Sequence, residues 1–391
     1  MSSNLGFLFS SATCGFKKSG KPDLAVIYSP IPCTYGGTFT TNQVRAACVD
    51  ENKRLLKNKK KIKAIVINSG NANASTGKKG IQAVKDTKQI AAKLLKINPD
   101  DVLVASTGAI GILLDMEKIK KGLEFAIPKL SSKNLKQAAK AILTTDKYEK
   151  IITKQTFDFK IIGFTKGAGM IHPNMATMLC YLITDLNMSQ ELLQSALKEV
   201  VSESFNLISV DADMSTNDMV ILLSNNKSKK KILSKNDSVY LSFKNALLEV
   251  CTQLAKLIAL DGEGAKRLIS VSVNGAKTKA DAKEIARSIV SSNLFKCAIF
   301  GLDPNWGRAA ARVGSTSVKV EQNKLDLMIN NTFVYKNGTP MNFDKKKLHK
   351  QLKKSKEVKV GVNLKLGKSS AKAYGCDMSY EYVKLNSAYS T

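Results

Sequence analysis

The stretch formed by residues 166–179, KGAGMIHPNMATML, is the most unusual part of this 391-residue chain. Two glycines and a proline precede an uninterrupted apolar run at residues 178–183, and such a run predicts a strand that is buried in the core. Thr177 stands directly before this strand. The entrance of a strand is a rigid platform, so a hydroxyl at this position can be held in one direction.

Threonine is a weak nucleophile at its ordinary pKa and needs a neighbouring base to take its proton. An α-amino group, with a pKa of roughly 7.7 to 8.0, is such a base, but only an amino-terminal threonine has one. Attack of the Thr177 Oγ on the Ala176 carbonyl would turn the peptide bond into an ester and free that amine, and water would then open the ester. The same pattern also fits an ordinary core strand, because threonine is favoured in strands.

Around this stretch, segments with the periodicity of strands and of helices alternate irregularly. The predicted strands are residues 64–67, 102–105 and 269–273, and a half-buried strand through Phe157, Phe159 and Ile161. The predicted helices have apolar faces within residues 81–95, 192–200, 247–258 and 282–289. Loops are predicted at residues 68–77, 106–108 and 301–308. This mixture predicts an α/β (α+β) fold in which helices cover an antiparallel or mixed sheet.

The net charge of +29 at pH 7 raises a different hypothesis, because strongly basic proteins often bind nucleic acid or anionic membranes. The densest basic runs, residues 53–63, 227–235 and 345–359, are almost entirely lysine and contain no aromatic rings that could stack on bases. They therefore predict solvated helices and loops, with neither nucleic acid nor membrane as a partner. A basic nucleic-acid-binding protein remains an alternative.

Other residue types exclude several classes of site. The seven cysteines are odd in number, scattered and without a CxxC pair, which predicts reduced thiols. The two histidines, His172 and His349, make a metal site or a Ser/His/Asp triad unexpected. No apolar run approaches the ~20 residues that span a bilayer, and residues 1–21 lack the basic segment of a secretory signal. We therefore expect a cytoplasmic protein.

The stretch 166–179 closely resembles the signature of the ornithine acetyltransferase (bifunctional glutamate N-acetyltransferase) family, in which scission falls between the alanine and the threonine of MATML. Further motifs of that family occur in the same order along the chain. They are FTTN at 39–42, NSGNAN at 68–73, STGAIG at 106–111, TTD at 144–146, STND at 215–218, DGEGA at 261–265, DPNWGR at 303–308 and GCDMSYEYVKLNSAYST at 375–391. The resemblance covers essentially the whole chain.

The resemblance implies a layered helix and sheet sandwich of the self-cleaving ornithine acetyltransferase type, with a smaller C-terminal domain. It implies scission into residues 1–176 and 177–391, which fold together as one unit, and a heterotetramer with two copies of each fragment. The implied reaction transfers acetyl from N2-acetyl-L-ornithine to L-glutamate through an acetylated threonine, in arginine biosynthesis. No cofactor is implied, and some members of the family also accept acetyl-CoA as the donor.

The resemblance also implies roles for single residues. Thr177 is the implied nucleophile of both scission and acetyl transfer, and Ala176 precedes the scissile bond. Thr107 and Gly108 of STG are the implied oxyanion donors, and losing one such donor typically costs about 3 kcal/mol of transition-state stabilisation. The implied substrate contacts are Thr144 or Thr145, Lys166, Thr177, Glu263, Asn386 and Thr391.

Two positions depart from the family pattern, and a second enzyme class fits the same nucleophile. Ala168 stands where serine is more usual, and a methionine follows Asp213, but neither change removes an implied chemical group. An N-terminal-nucleophile amidohydrolase or aminopeptidase of related fold, with water in place of glutamate, is the alternative. Taken singly, Lys166 and Glu263 also fit surface ion pairs.

Overall fold

The computed structural model describes residues 5–172 and 178–388, and within them most strands belong to two large mixed sheets. The strands are β1 (Leu8–Ala12), β2 (Leu24–Phe39), β3 (Ile62–Asn71), β4 (Val102–Ala109), β5 (Lys150–Gln155), β6 (Lys160–Lys166), β7 (Leu179–Thr184), β8 (Asn187–Met188), β9 (Ile208–Ser209), β10 (Met219–Ser224), β11 (Lys231–Ile232), β12 (Leu268–Ala276), β13 (Asp326–Ile329), β14 (Thr332–Lys336), β15 (Thr339–Pro340), β16 (Glu357–Asn363) and β17 (Ser369–Cys376). The helices are α1 (Ala47–Lys57), α2 (Gly77–Leu95), α3 (Met116–Ala126), α4 (Leu135–Ala141), α5 (Gln190–Glu203), α6 (Ser238–Leu260), α7 (Lys279–Val290), α8 (Asn293–Phe300), α9 (Trp306–Gly314), α10 (Lys345–Lys354) and α11 (Tyr380–Ala388).

The first sheet has the strand order β4-β3-β2-β10-β7-β6-β5, with β1 paired to β2. The pairs β3/β4 and β7/β10 are parallel, and the other pairs in this sheet are antiparallel. β7 therefore lies between β6, which precedes residue 177 in the chain, and β10, which follows it. The predicted scission would leave one sheet built from both fragments.

β7 is buried on both of its faces, which explains its continuous apolar sequence. Leu179, Tyr181 and Ile183 pack into one hydrophobic core, while Cys180 and Leu182 pack into the core on the opposite face. Successive side chains of a strand point to opposite sides of a sheet, so a strand with a core on each side needs apolar residues at every position. The predicted strand at residues 178–183 is confirmed.

Helices α5 and α6 cover one face of the first sheet. Apolar side chains of α5 and α6 share a core with β6, β7 and β10. The Ser189 side chain accepts a hydrogen bond from the Leu192 N–H at 3.3 Å, which satisfies one of the free donors at the start of α5. α6 ends at Leu260, directly before Asp261 and the DGEGA segment. The helices predicted in these two regions are confirmed.

The second sheet has the strand order β15-β14-β13-β16-β12-β17-β9 and, apart from β9, consists of residues from Leu268 onwards. Apolar residues of α7, α9 and α10 pack on it and form a separate core. Each sheet therefore has its own helical layer. The predicted α/β (α+β) sandwich with a smaller C-terminal unit is confirmed.

Four local predictions were wrong. The predicted loop 68–77 is shorter at both ends, because β3 continues to Asn71 and α2 begins at Gly77. β4 does not stop at Ser106 but continues to Ala109, because β3 runs beside it as far as Asn71 and supplies pairing partners. Phe157 is fully exposed and does not belong to a strand. It lies in a turn that is closed by a hydrogen bond from the Thr156 N–H to the Phe159 carbonyl. The predicted loop 301–308 already contains the first turn of α9.

Within the described residues, no helix is both long enough and apolar enough to cross a membrane.

Candidate functional site

A single cleft gathers the predicted site residues that the structure describes. It lies where β4 and β6 end and where β7 and β10 begin. The predicted residues that line it are Thr107, Gly108, Thr144, Thr145, Lys166, Glu263 and Asn386. Its remaining lining comes from Ala72, Ile110, Gly167, Gly169, Met170, Ile171, Met178, Leu179, Ser215, Thr216, Asn217 and Asp218. Segments that are far apart in the sequence therefore meet at one place.

Three of the predicted residues, Ala176, Thr177 and Thr391, lie outside the described residues. Their roles stay predictions. Ile171 and Met178, which lie on either side of residues 173–177, both line the cleft.

The Lys166 side chain brings a cation into the cleft. The residue is only 8% exposed, and its Nζ donates hydrogen bonds to Thr144 Oγ1 at 2.8 Å and Thr107 Oγ1 at 3.2 Å. Burial lowers the pKa of Lys166 below its usual range, although the charge of Asp146 opposes this shift. An ammonium has three N–H donors, so the third is available for a carboxylate of a substrate.

Gly108 allows β4 to approach β3 more closely than any other residue would. Its φ is +133°, and a Cβ atom at this position would lie 2.3 Å from the carbonyl carbon of Gly70 and 2.5 Å from the Asn71 nitrogen. Both contacts are with backbone, which cannot move away as a side chain could. The sequence therefore needs glycine here, and Gly108 and Thr107 both line the cleft.

Beneath the cleft, Lys150 forms ion pairs with two carboxylates inside the protein. Its Nζ lies 2.8 Å from Asp146 Oδ1 and 2.6 Å from Asp261 Oδ2, and all three side chains are 0% exposed. Burial acts to raise the pKa of Asp146, but the charges of Lys166 and Lys150 outweigh it and lower that pKa. Asp146 is therefore a carboxylate in the folded protein.

The same two carboxylates fix the backbone of the cleft. Asp146 accepts hydrogen bonds from the Gly167 N–H at 2.7 Å and the Thr144 N–H at 3.2 Å. Asp261 accepts one from the Lys147 N–H at 3.0 Å. The TTD, KGAG and DGEGA segments are thus tied to each other through one buried cluster.

Glu263 and Asn386 meet at the edge of the cleft. Asn386, on α11, donates from Nδ2 to Glu263 Oε2 at 2.9 Å. The Glu263 N–H donates to the Ala168 carbonyl at 2.8 Å, and its carboxylate lies so close to Gly169 that a Cβ there would be 2.4 Å from the Glu263 Cδ. Asn386 and Glu263, both predicted to contact the substrate, therefore lie side by side.

Sequence reasoning missed several residues of this site. Asp146, Asp261 and Asp218 stand within quoted motifs, TTD, DGEGA and STND, but no role followed from their spacing. Lys150 lies outside every motif, and an isolated lysine in a lysine-rich chain gives no signal that it is buried.

The described residues contain no group of three or more His, Cys, Asp or Glu side chains that could hold a metal ion.

Comparison with known proteins identifies the family of the chain. A model of the ArgJ family matches residues 8–391 of the sequence. The chain belongs to the ArgJ family. Arginine biosynthesis bifunctional protein ArgJ 1 of Clostridium acetobutylicum is 45% identical over 383 residues, which are 96% of this chain and 93% of that protein.

Other ArgJ proteins show a similar likeness. The ArgJ protein of Caldanaerobacter subterraneus subsp. tengcongensis is 45% identical over 394 residues, covering 99% of this chain and 97% of that protein. The crystal structure of Bacillus halodurans ArgJ matches with a TM-score of 0.51 and 40% identity, over 52% of this chain and 96% of that one. The predicted family, an enzyme family of arginine biosynthesis, is confirmed, and the nucleic-acid-binding and hydrolase alternatives are not favoured.

Replacing Gly108 by alanine is predicted to abolish activity and strongly destabilise this ArgJ-family protein, because the new Cβ would collide with the backbone of β3. The matched control is Gly111→Ala, where φ is +80° but a Cβ would meet nothing within 4 Å. That control should cost only the ~1–2 kcal/mol of left-handed backbone strain. Urea unfolding followed by circular dichroism distinguishes the two, and equal destabilisation would contradict the close approach.

Replacing Lys150 by methionine should lower the free energy of unfolding by about 3–5 kcal/mol, because it leaves two buried carboxylates without their cation. Lys154→Met is the control on the same strand, since Lys154 pairs with Glu249 at 2.8 Å with side chains 39% and 47% exposed. This exposed pair should contribute about 0–1 kcal/mol. A Lys150 variant as stable as the control, measured by urea unfolding, would show that the cluster is not a structural requirement.

Proposed function

We propose that this chain transfers an acetyl group from N2-acetyl-L-ornithine to L-glutamate through Thr177, giving ornithine and N-acetylglutamate. The observation that supports this most directly is the convergence of separate motif segments on one cleft around the Lys166 ammonium. Ile171 and Met178 line the same cleft on either side of the segment that contains the proposed nucleophile.

The proposed reaction has two half-reactions with the same proton carrier. The α-amine of Thr177 takes the proton of its own hydroxyl while Oγ attacks the acetyl carbonyl of acetylornithine. The C–N bond then breaks, and the ammonium returns the proton to the departing nitrogen of ornithine. The amine of glutamate attacks the acetyl-threonine ester, and the reverse sequence releases N-acetylglutamate and the free threonine hydroxyl.

The Thr107 hydroxyl and the Gly108 N–H are proposed to stabilise the negative oxygen of each tetrahedral intermediate. Fixed donors are most effective where charge develops during the reaction, and these two belong to a strand whose position is set by its close contact with β3. Their contribution is therefore made without reorganisation of the protein.

Both substrates have an α-carboxylate beside the nitrogen that exchanges acetyl, and Lys166 is proposed to bind it. Thr144 or Thr145 would supply hydroxyl contacts next to Lys166, and Asn386 and Thr391 would contact the substrate from the C-terminal end. Glu263 offers a negative charge for an ammonium group, either of the substrate or of the new amino terminus.

The surroundings of this reaction are also proposals. We infer scission into fragments 1–176 and 177–391, a heterotetramer with two copies of each, and a cytoplasmic location. Acetyl-CoA is proposed as a second donor substrate, and no cofactor is required for the steps above.

Thr177→Ala should abolish both self-cleavage and acetyl transfer, since it removes the only hydroxyl that attacks in either step. Denaturing electrophoresis of the wild-type protein should show two bands of similar size, and the variant one full-length band. Thr184→Ala, at the other end of β7, is the control and should be cleaved and active.

Acetylglutamate formation from acetylornithine, measured with and without glutamate, completes this test. Release of ornithine that needs glutamate and yields acetylglutamate supports transfer. Release at the same rate without glutamate, with free acetate as the product, would support a hydrolase instead.

Lys166→Gln should raise the KM for acetylornithine about 10- to 100-fold, the equivalent of about 1.5–3 kcal/mol for a lost charge-assisted hydrogen bond. Because burial lowers the pKa of Lys166, its charge is lost on raising the pH before an ordinary lysine would lose it. The wild-type KM should therefore rise at alkaline pH, whereas the variant's KM should lack this component. Identical pH profiles would exclude Lys166 as the carboxylate site.

A further inference from the structure

Asp218 is a buried carboxyl in the cleft that the acetyl-transfer mechanism does not use. It lies directly before β10, is only 3% exposed and lines the cleft. Its backbone is held firmly, because its carbonyl accepts a hydrogen bond from the Thr40 N–H at 2.9 Å. The preceding Asn217 donates from Nδ2 to the carbonyls of Ala72 at 2.6 Å and Ser106 at 2.8 Å. The carboxyl is thus presented to the cleft from a rigid support.

One oxygen of this carboxyl, Oδ2, has no hydrogen-bond partner in residues 5–172 and 178–388. Burying a polar group without a partner costs about 1–3 kcal/mol, so a protein usually keeps such a group only where it has a use. Burial raises the pKa of Asp218 well above its usual range, while Ser215, the Lys166 charge and the Met178 N–H oppose this shift. Among the described residues, Lys166 is the charged side chain that lowers the pKa of this carboxyl. Such a carboxyl holds a proton more readily than an exposed aspartate does.

Self-cleavage presents a proton-transfer problem that acetyl transfer does not. In the mature enzyme, the α-amine of Thr177 takes the proton of the hydroxyl. Before scission, that nitrogen is part of the peptide bond with Ala176 and cannot act as a base. The precursor therefore needs another group that takes a proton from Oγ and gives one to the departing nitrogen.

The position of Asp218 along the sheet suits this task. The backbone N–H of Met178 lowers the pKa of the Asp218 carboxyl. The nitrogen of Met178 is bonded to the carbonyl carbon of Thr177. In addition, the Met219 N–H donates to the Met178 carbonyl at 3.0 Å, which fixes the start of β7 against the start of β10. The carboxyl therefore lies beside the residue that follows the nucleophile.

The other titratable side chains in the cleft are committed elsewhere. The Lys166 ammonium donates to two threonine hydroxyls, and a cation cannot accept a proton. The Glu263 carboxylate accepts from Asn386 Nδ2. Of these three residues, Asp218 is the one with a fully buried side-chain oxygen that has no hydrogen-bond partner in the described structure.

We propose that Asp218 is the proton carrier of self-cleavage, an assignment that rests on the proposed function of Thr177. The Asp218 carboxylate takes the proton of the Thr177 hydroxyl as Oγ bonds to the carbonyl carbon of Ala176. The C–N bond then breaks, and the protonated carboxyl gives its proton to the departing nitrogen, which becomes the free amine. Water hydrolyses the resulting ester, which yields the Ala176 carboxylate and regenerates the Thr177 hydroxyl.

The test follows the cleavage of full-length protein by denaturing electrophoresis. Asp218→Ala and Asp218→Asn should accumulate the uncleaved chain, with scission slowed at least about a hundredfold. Asp213→Ala is the control, because Asp213 is an exposed carboxylate five residues away and should be cleaved normally. Circular dichroism and urea unfolding establish that the uncleaved variants are folded.

Chemical rescue distinguishes proton transfer from a structural role. Added formate should restore cleavage of Asp218→Ala in proportion to its concentration, because the alanine leaves space for a small carboxylate in place of the Asp218 side chain. Formate should restore little or nothing in Asp218→Asn, whose side chain fills that space, and nothing in Thr177→Ala. Cleavage of Asp218→Ala at the wild-type rate, or a folded Asp218→Ala that no formate concentration cleaves, would overturn the assignment.

The results distinguish a failure of the role of Asp218 from a failure of the proposed function. A wild-type protein that is not cleaved, or is cleaved but transfers no acetyl group, contradicts the role of Thr177 whatever the Asp218 variants do. A wild-type protein that is cleaved and transfers acetyl, together with a normally cleaved Asp218→Ala, contradicts only the role of Asp218.

Discussion

The buried ion pairs of Lys150 with Asp146 and Asp261 are the interaction on which the cleft depends. Removing three charges from water is costly, and the cost is tolerated only where the geometry and the additional hydrogen bonds are good. Here both carboxylates also accept backbone N–H groups, from Thr144, Lys147 and Gly167. The cluster therefore fixes the backbone on either side of the Lys166 side chain, at Thr144 and at Gly167. It thereby positions the part of the cleft that would bind a substrate carboxylate.

The central sheet explains why the proposed scission would leave the structure intact. β7 begins just after residue 177 and is enclosed between β6 and β10, with a hydrophobic core on each face. A break before this strand removes one covalent bond but leaves its hydrogen bonds and its packing in place. The new amine would belong to the residue directly before Met178, which lines the cleft.

The sequence predicted those parts of the fold and the site that depend on local pattern. The continuous apolar run of β7, the apolar face of α5 and the ordered motifs of the family all followed from neighbouring residues. Features set by distant contacts did not follow: Thr107 lies within a strand because β3 continues beside it, and Phe157 is exposed because a turn places it there. The buried position of Lys150 depends on two aspartates, one of them more than a hundred residues away, which no pattern around it reveals.

The most direct test of the account is the intact mass of the two fragments after the protein is mixed with acetylornithine in the absence of glutamate. The account predicts that the fragment beginning at Thr177 gains one acetyl group, located on that threonine, and loses it when glutamate is added. Acetylation of glutamate at full rate, with no acetylated fragment at any time within the turnover, would contradict it.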